Sequence, residues 1–139
     1  MQVAVWDTYV KKKNGSVIHF DIIVPEDLKN KERIFIYGKQ FTTSIGEMNA
    51  KLDAEECQYC HIEQPSDEIV NSINENGYYI LEMEEIPKNL PKNPTRREMV
   101  LFLKAHYKEY RFANFKGMSE DEVRGKLEKS EALTRPFRK

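Results

Sequence analysis

Tyr9-Val10-Lys11-Lys12-Lys13-Asn14-Gly15-Ser16-Val17-Ile18-His19-Phe20 joins two apolar, β-branched runs through a turn signal, and its reading sets the rest of the fold. Asn-Gly between alternating apolar residues is the preferred pair for a two-residue type I′ hairpin. Over residues 2–24 that turn places Lys13 opposite Ser16, Tyr9 opposite Phe20 and Val5 opposite Val24. Directly paired residues share a face. The expected core face therefore carries Val5, Asp7, Tyr9, Ile18, Phe20, Ile22 and Val24, and the other carries Ala4, Trp6, Thr8, Val10, Val17, His19, Asp21 and Ile23. Asp7 then needs a partner, an edge or a bulge, because an unpaired buried carboxylate is costly. Thr8, His19 and Asp21 read either as an acid–base or metal-binding patch or as the solvated side of an alternating sheet.

Downstream of Pro25, Asn30 is placed to cap a helix whose stripe is Ile34, Phe35, Gly38, Phe41, Thr42 and Ile45, with Gly46 as its stop. Gly38 inside the stripe implies close approach of that helix to a sheet. Pro65-Ser66-Asp67-Glu68 opens a second helix, with Ile69, Val70 and Ile73 inward and Asn76-Gly77 closing it. Tyr78–Glu84 reads as a strand, apolar on both faces over its first four residues and so expected inside the sheet. This order predicts an α+β, two-layer domain over residues 1–87: a hairpin-led mixed β-sheet with helices on one face.

Residues 88–94 form a Pro-rich linker. Thr95 and Glu98, and later Ser119 and Glu122, have capping-box spacing. They predict a C-terminal helical pair at about 95–111 and 119–130. Met99, Phe102, Leu103, His106, Tyr107 and Tyr110 share one side of the first helix, with His106 read as a packed core histidine. Two helices cannot bury such a stripe alone, so the 95–139 extension is expected to dock on the body or on a second chain, as in a homodimer. Residues 134–139 are expected to be mobile.

Cys57-Gln58-Tyr59-Cys60-His61-Ile62-Glu63 holds both cysteines and one of three histidines. Asp53 and Glu56 have the spacing of an N-cap and its capping-box partner, which favours a helical turn. On a helix Cys57, Cys60 and His61 would share a face and suit one metal, zinc by ligand type. The fourth position would fall to His19, His106, Glu63 or water. On a strand Cys60 would point away from Cys57 and His61. Packed, free cysteines are the plain alternative. Cys-x-x-Cys-His is also the covalent haem signature, but haem attachment needs export, and Met1-Gln2-Val3-Ala4-Val5-Trp6-Asp7 has no leader pattern. The expectation is a cytoplasmic protein with reduced cysteines and no haem.

The chain of 139 residues, 40% hydrophobic and 32% charged, suits one ordinary folded domain, and no apolar run approaches a membrane span. Net charge is −1, yet residues 1–92 carry −6 and residues 93–139 carry +5. The basic residues of the second segment are interleaved with Glu, which argues against a nucleic-acid arm. No phosphate loop or nucleophile motif is present to mark an enzyme class. The composition fits a module that works by binding a protein partner or its own copy, with metal- or thiol-dependent activity at Cys57, Cys60 and His61 as the alternative.

Four segments together resemble one bacterial family. They are Val5-Trp6-Asp7-Thr8-Tyr9-Val10; His19-Phe20-Asp21-Ile22 with Val24-Pro25; Cys57-x-Tyr59-Cys60-His61-Ile62-Glu63; and Gly77-Tyr78-x-Ile80. The family is called domain of unknown function two-thousand-and-twenty-four, and the likeness spans residues 1–86. The resemblance implies a compact α+β fold and a cytosolic bacterial protein, and carries no catalytic role onto any residue. Residues 93–139 depart from its short pattern.

Overall fold

The computed structural model describes residues 1–134, with side chains to residue 131; the expected mobile tail, apart from Thr134, lies outside the described residues. The chain divides into two compact units, Met1–Glu85 and Ile86–Lys139.

In the first unit the elements run β1 (Val3–Lys11), β2 (Val17–Pro25), α1 (Lys31–Ser44), β3 (Cys57–Glu63), α2 (Asp67–Asn76) and β4 (Tyr79–Ile86). The four strands lie in the order β3-β1-β2-β4. Pairing of β1 with both β2 and β3 is antiparallel. Along β4, Glu85 meets Ser16 and Glu84 meets His19, and Tyr79 packs against the cluster that holds Ile23, so β4 runs antiparallel to β2 as well. The α+β reading stands, with a sheet that is antiparallel throughout. β4 is an edge strand rather than an inner one.

The hairpin register is one residue away from the expected one. Tyr9 lies opposite His19, Val5 opposite Ile23, and Lys11 opposite Val17. The loop explains the slip. Within the loop only Gly15 takes a left-handed φ (91°), and among the described residues no non-glycine does, so a type I′ turn, which needs two, is excluded. The Gly15 amide donates to the Lys12 carbonyl (3.0 Å), and the Lys12 amide to the Ser16 carbonyl (2.8 Å). Asn14 uses its carboxamide oxygen to accept from the Ser16 amide (2.9 Å). The connection is thus a three-residue loop with a glycine bulge. Glu47 and Glu85 clamp it: Glu47 accepts from the Lys13 amide (3.1 Å), Glu85 from the Ser16 hydroxyl (3.1 Å) and the Lys12 ammonium (3.1 Å).

Because strand side chains alternate, a one-residue slip on β2 exchanges every face. One face now carries Ala4, Trp6, Val10, Phe20, Ile22 and Val24, packed with Ile34, Phe35 and Phe41 of α1. On the opposite face Val3, Val5 and Ile23 meet Ile69 and Ile73 of α2. The helices therefore flank both faces, α2 covering one end of the second. Local signals set both helices as expected. Asn30 caps α1 by accepting from the Arg33 amide, and Ser66 caps α2 by accepting from the Ile69 amide. Gly77 ends α2 at φ 89°. Gly38 sits where a Cβ would come within 2.5 Å of Leu52 Cδ1 and 2.8 Å of Ile22 Cδ1, so glycine is what lets α1 approach β2 this closely.

The second unit contains α3 (Arg96–His106), a 3-10 turn (Lys108–Tyr110) and α4 (Glu120–Thr134). Both predicted capping boxes form, Thr95 with Glu98 and Ser119 with Glu122. Met99, Phe102, Leu103, Phe115, Val123 and Leu127 are buried. α3 ends earlier than the stripe suggested, because Tyr107 is extended and Arg111 donates to the last helical carbonyls at Lys104 (3.4 Å) and Ala105 (3.0 Å). Tyr107 and Tyr110 thus leave the helix. The His106 ring packs on Phe102 (4.5 Å between centroids), and its Nε2 lies 2.9 Å from the Pro87 carbonyl.

Candidate functional site

The helical turn expected at Cys57 stops after one turn. The Asp53–Glu56 capping contacts do form: the Asp53 amide donates to Glu56 Oε1 (3.0 Å), and the Cys57 amide reaches the Asp53 carbonyl (3.0 Å). From Cys57 onward the backbone instead pairs with β1, a case of sheet pairing overriding local helix signals. His61 lies opposite Val5 and Tyr59 opposite Trp6, so Cys60 is the extra residue of a bulge.

That bulge separates the expected ligands. Cys57, opposite Thr8, turns into the α1 core, is 2% exposed, and has its Sγ 3.3 Å from the Thr8 hydroxyl. Burial pushes its thiol up to about 11. Cys60 is exposed, and neither cysteine is in a disulfide. His61 is on the second face with Glu63; its Nδ1 lies 3.2 Å from Cys60 Sγ and its Nε2 2.9 Å from Glu63 Oε2. Cys57 thus lies apart from the exposed Cys60–His61 pair.

The slipped register assembles a different set. Asp7 lies directly opposite Asp21, and His19 directly opposite Tyr9, all four on the second face. One ligand atom each from Asp7, His19 and Asp21 lies within 4.8 Å of the other two. His19 Nε2 makes a close contact with Asp7 Oδ1, while Nδ1 lies 3.3 Å from Glu84 Oε1 on β4. The imidazole stacks flat on Tyr9, 4.3 Å between centroids. Asp7 therefore finds the partner its position demanded.

The electrostatics follow from this crowding. Burial works against the charged form of His19, but the Asp7 and Glu84 carboxylates outweigh it and raise its pKa. Asp21 is raised from 3.8 to about 6, first by burial and then by the facing Asp7 carboxylate, against the opposing pull of His19 and His61. Two carboxylates placed directly across from one another repel. The grouping favours a proton or a cation. It was hidden in the sequence because the type I′ register put Asp7 and His19 on opposite faces; a three-residue loop would have joined them.

Comparison with known proteins agrees with this architecture. The NMR structure of protein NE1680 from Nitrosomonas europaea is similar to this chain at 44% identity, covering 60% of this chain and 96% of that one, with a TM-score of 0.55. No curated protein sequence matches. The family profile described as Domain of unknown function (DUF2024) matches residues 1–83, which hold the whole hairpin, the bulged strand and the Asp7–His19–Asp21 group. The chain belongs to the DUF2024 family.

Proposed function

We propose that the first unit is a binding module for a divalent first-row metal ion, with zinc as the reference case, held by Asp7, His19 and Asp21. The observation that carries this is the convergence of the three ligand atoms within 4.8 Å around a facing pair of carboxylates. Three protein ligands leave an open position for water or a further ligand, the arrangement of reactive rather than purely structural zinc sites. Glu84 supports the reading: a metal-bound histidine commonly gives its other N–H to a carboxylate, which fixes tautomer and ring orientation. His19 Nδ1–H donating to Glu84 would leave Nε2 to the ion. Binding then displaces the His19 proton, so affinity rises with pH.

The test is calorimetric titration of untagged full-length protein with zinc in two buffers of different ionisation enthalpy. The expected result is one ion per chain with proton release, loss of binding in His19→Gln, and at least a roughly tenfold weakening in Asp21→Asn. A Cys57→Ser/Cys60→Ser variant should bind as the parent does. Binding kept in His19→Gln but lost in the double serine variant would return the ion to the Cys-x-x-Cys-His stretch. Absence of binding would remove the metal reading.

Self-association is a second reading, favoured by one feature. Among the described residues β3 has no neighbour on its outer side, and it exposes Tyr59 (51%) and Ile62 (40%). An apolar edge strand is a template for pairing with another chain. Light scattering should give a dimer at high micromolar concentration and a monomer for Ile62→Lys. A monomeric parent would reject the homodimer.

A further inference from the structure

A cleft on the opposite face of the sheet carries an inference independent of the metal reading. Its volume is about 290 Å³, close to the lower end of small-molecule sites at ~300 Å³. Trp6, Phe35, Ala54 and Tyr59 supply apolar wall, and Lys31 and Gln58 the polar groups. Trp6 on β1 meets Tyr59 on β3 edge to face, 6.0 Å between centroids at 73°. Lys31 and Phe35, one turn apart on α1, share one side of that helix.

The indole of Trp6 is the unusual component. Trp6 is 7% exposed, and its Nε1–H has no hydrogen-bond partner. A buried unpaired donor is costly, and tryptophan usually finds an acceptor when buried. Here the donor belongs to a residue lining a cleft with two further aromatic rings. Lys31 is the single charged residue of that lining. An orphan N–H and an ammonium both call for an acceptor, and a carboxylate satisfies both. The rings call for a flat apolar group beside it.

We propose that this cleft binds a small aromatic carboxylate, its ring against Phe35 and Tyr59 and its carboxylate on the Lys31 ammonium, with the covered Trp6 Nε1–H turning to share it. The chain has one tryptophan, so it gives one indole N–H resonance, a local reporter of the donor in question. Full-length ¹⁵N-labelled protein would be titrated with phenylacetate, with neutral phenylacetamide and with acetate. The expected result is a saturable shift of the indole resonance with phenylacetate. Phenylacetamide and acetate should each bind at least about fivefold more weakly, since a charge-assisted hydrogen bond is roughly twice as strong as a neutral one. Lys31→Met alters an exposed side chain and should bring phenylacetate down to the level of the amide. Tyr59→Ala, also at an exposed position, should weaken both aromatic probes and leave acetate unchanged. An indole resonance that stays fixed, or moves without saturating to tens of millimolar, overturns the site. Equal binding of acid and amide, or no effect of Lys31→Met, overturns the carboxylate assignment.

Discussion

The two faces of the β1–β2 hairpin are built from the same nine-residue strands and do opposite things. Toward α1 the central positions are Trp6, Val10, Phe20 and Ile22, packed with Ile34 and Phe41. Toward the other side the central positions are Asp7, His19 and Asp21, with apolar cover only at the end where Val3, Val5 and Ile23 meet α2. The first face drives folding through removal of apolar surface from water. The second keeps two carboxylates in direct opposition, an arrangement that costs stability. A face that retains such repulsion at its centre is the natural place to look for a ligand.

The largest contrast should come from truncation of the packed face. Phe20→Ala should destabilise by about 3–5 kcal/mol, read by chemical denaturation, because Phe20 is fully buried and its ring lies tilted against Phe41. A loss below about 1 kcal/mol, typical of surface substitutions, would erase the distinction between the faces.

A second contrast lies within β3, whose two cysteines see different surroundings. In native protein at pH 8, Cys57 should alkylate roughly a hundredfold more slowly than Cys60, since only the thiolate reacts and burial holds Cys57 near 11. Mass spectrometry after a timed iodoacetamide pulse reads this directly; equal rates would place Cys57 outside the core.

A smaller effect tests the loop that sets the faces. Asn14→Ala removes the acceptor for the Ser16 amide and should cost roughly 0.5–1.5 kcal/mol. The Tyr9–His19 ring contact should nevertheless survive in nuclear Overhauser spectra, because Glu47 and Glu85 still hold the loop. Appearance of a Tyr9–Phe20 pairing would show that Asn14 alone chose the register.

The smallest and most diagnostic effect has the opposite sign. The unfolded chain releases the Asp21 proton near 3.8, the folded chain near 6, so folding takes up a proton in that window. The His19 value is likewise raised above 6.5 on folding. In both cases the stabilising contribution is complete below the unfolded value and is lost as pH rises through the folded one. Stability of the metal-free protein should therefore fall between pH 4 and 6 through Asp21, and further above pH 6.5 through His19. Asp21→Asn should raise stability at pH 7 by roughly 0.2–1 kcal/mol and flatten the first decline. A variant less stable than the parent, with an unchanged pH profile, would mean that Asp7 and Asp21 do not repel.

Legibility from sequence followed the range of the interactions. Both N-caps of the first unit, the close approach at Gly38 and the two C-terminal capping boxes rest on contacts within a few residues or on a single missing Cβ. Those were readable. The hairpin register was not, because Asn-Gly suits more than one loop length and the deciding contacts come from Glu47 and Glu85. The Cys57 stretch misleads for the same reason: Glu56 does reach back to the Asp53 amide, and pairing with β1 ends the turn anyway. His19 is a candidate from the sequence itself, but Asp7 as its neighbour requires the slip, and Glu84 requires knowing which strand lies beside β2.

The clamped hairpin loop also carries a message about time. Its internal bond from Ser16 to Asn14 spans two residues and can close as soon as the hairpin meets. Its outer bonds reach across 34 residues to Glu47 and across 69 to Glu85. Closing loops of that length is slow and entropically opposed, so it follows local structure. A hairpin without these partners is expected to sample both registers, which Glu47 and then Glu85 narrow to one. Assembly of the Asp7–His19–Asp21 group is therefore expected late in folding, and a nascent chain stopped before Glu84 would lack both that clamp and the Glu84 carboxylate.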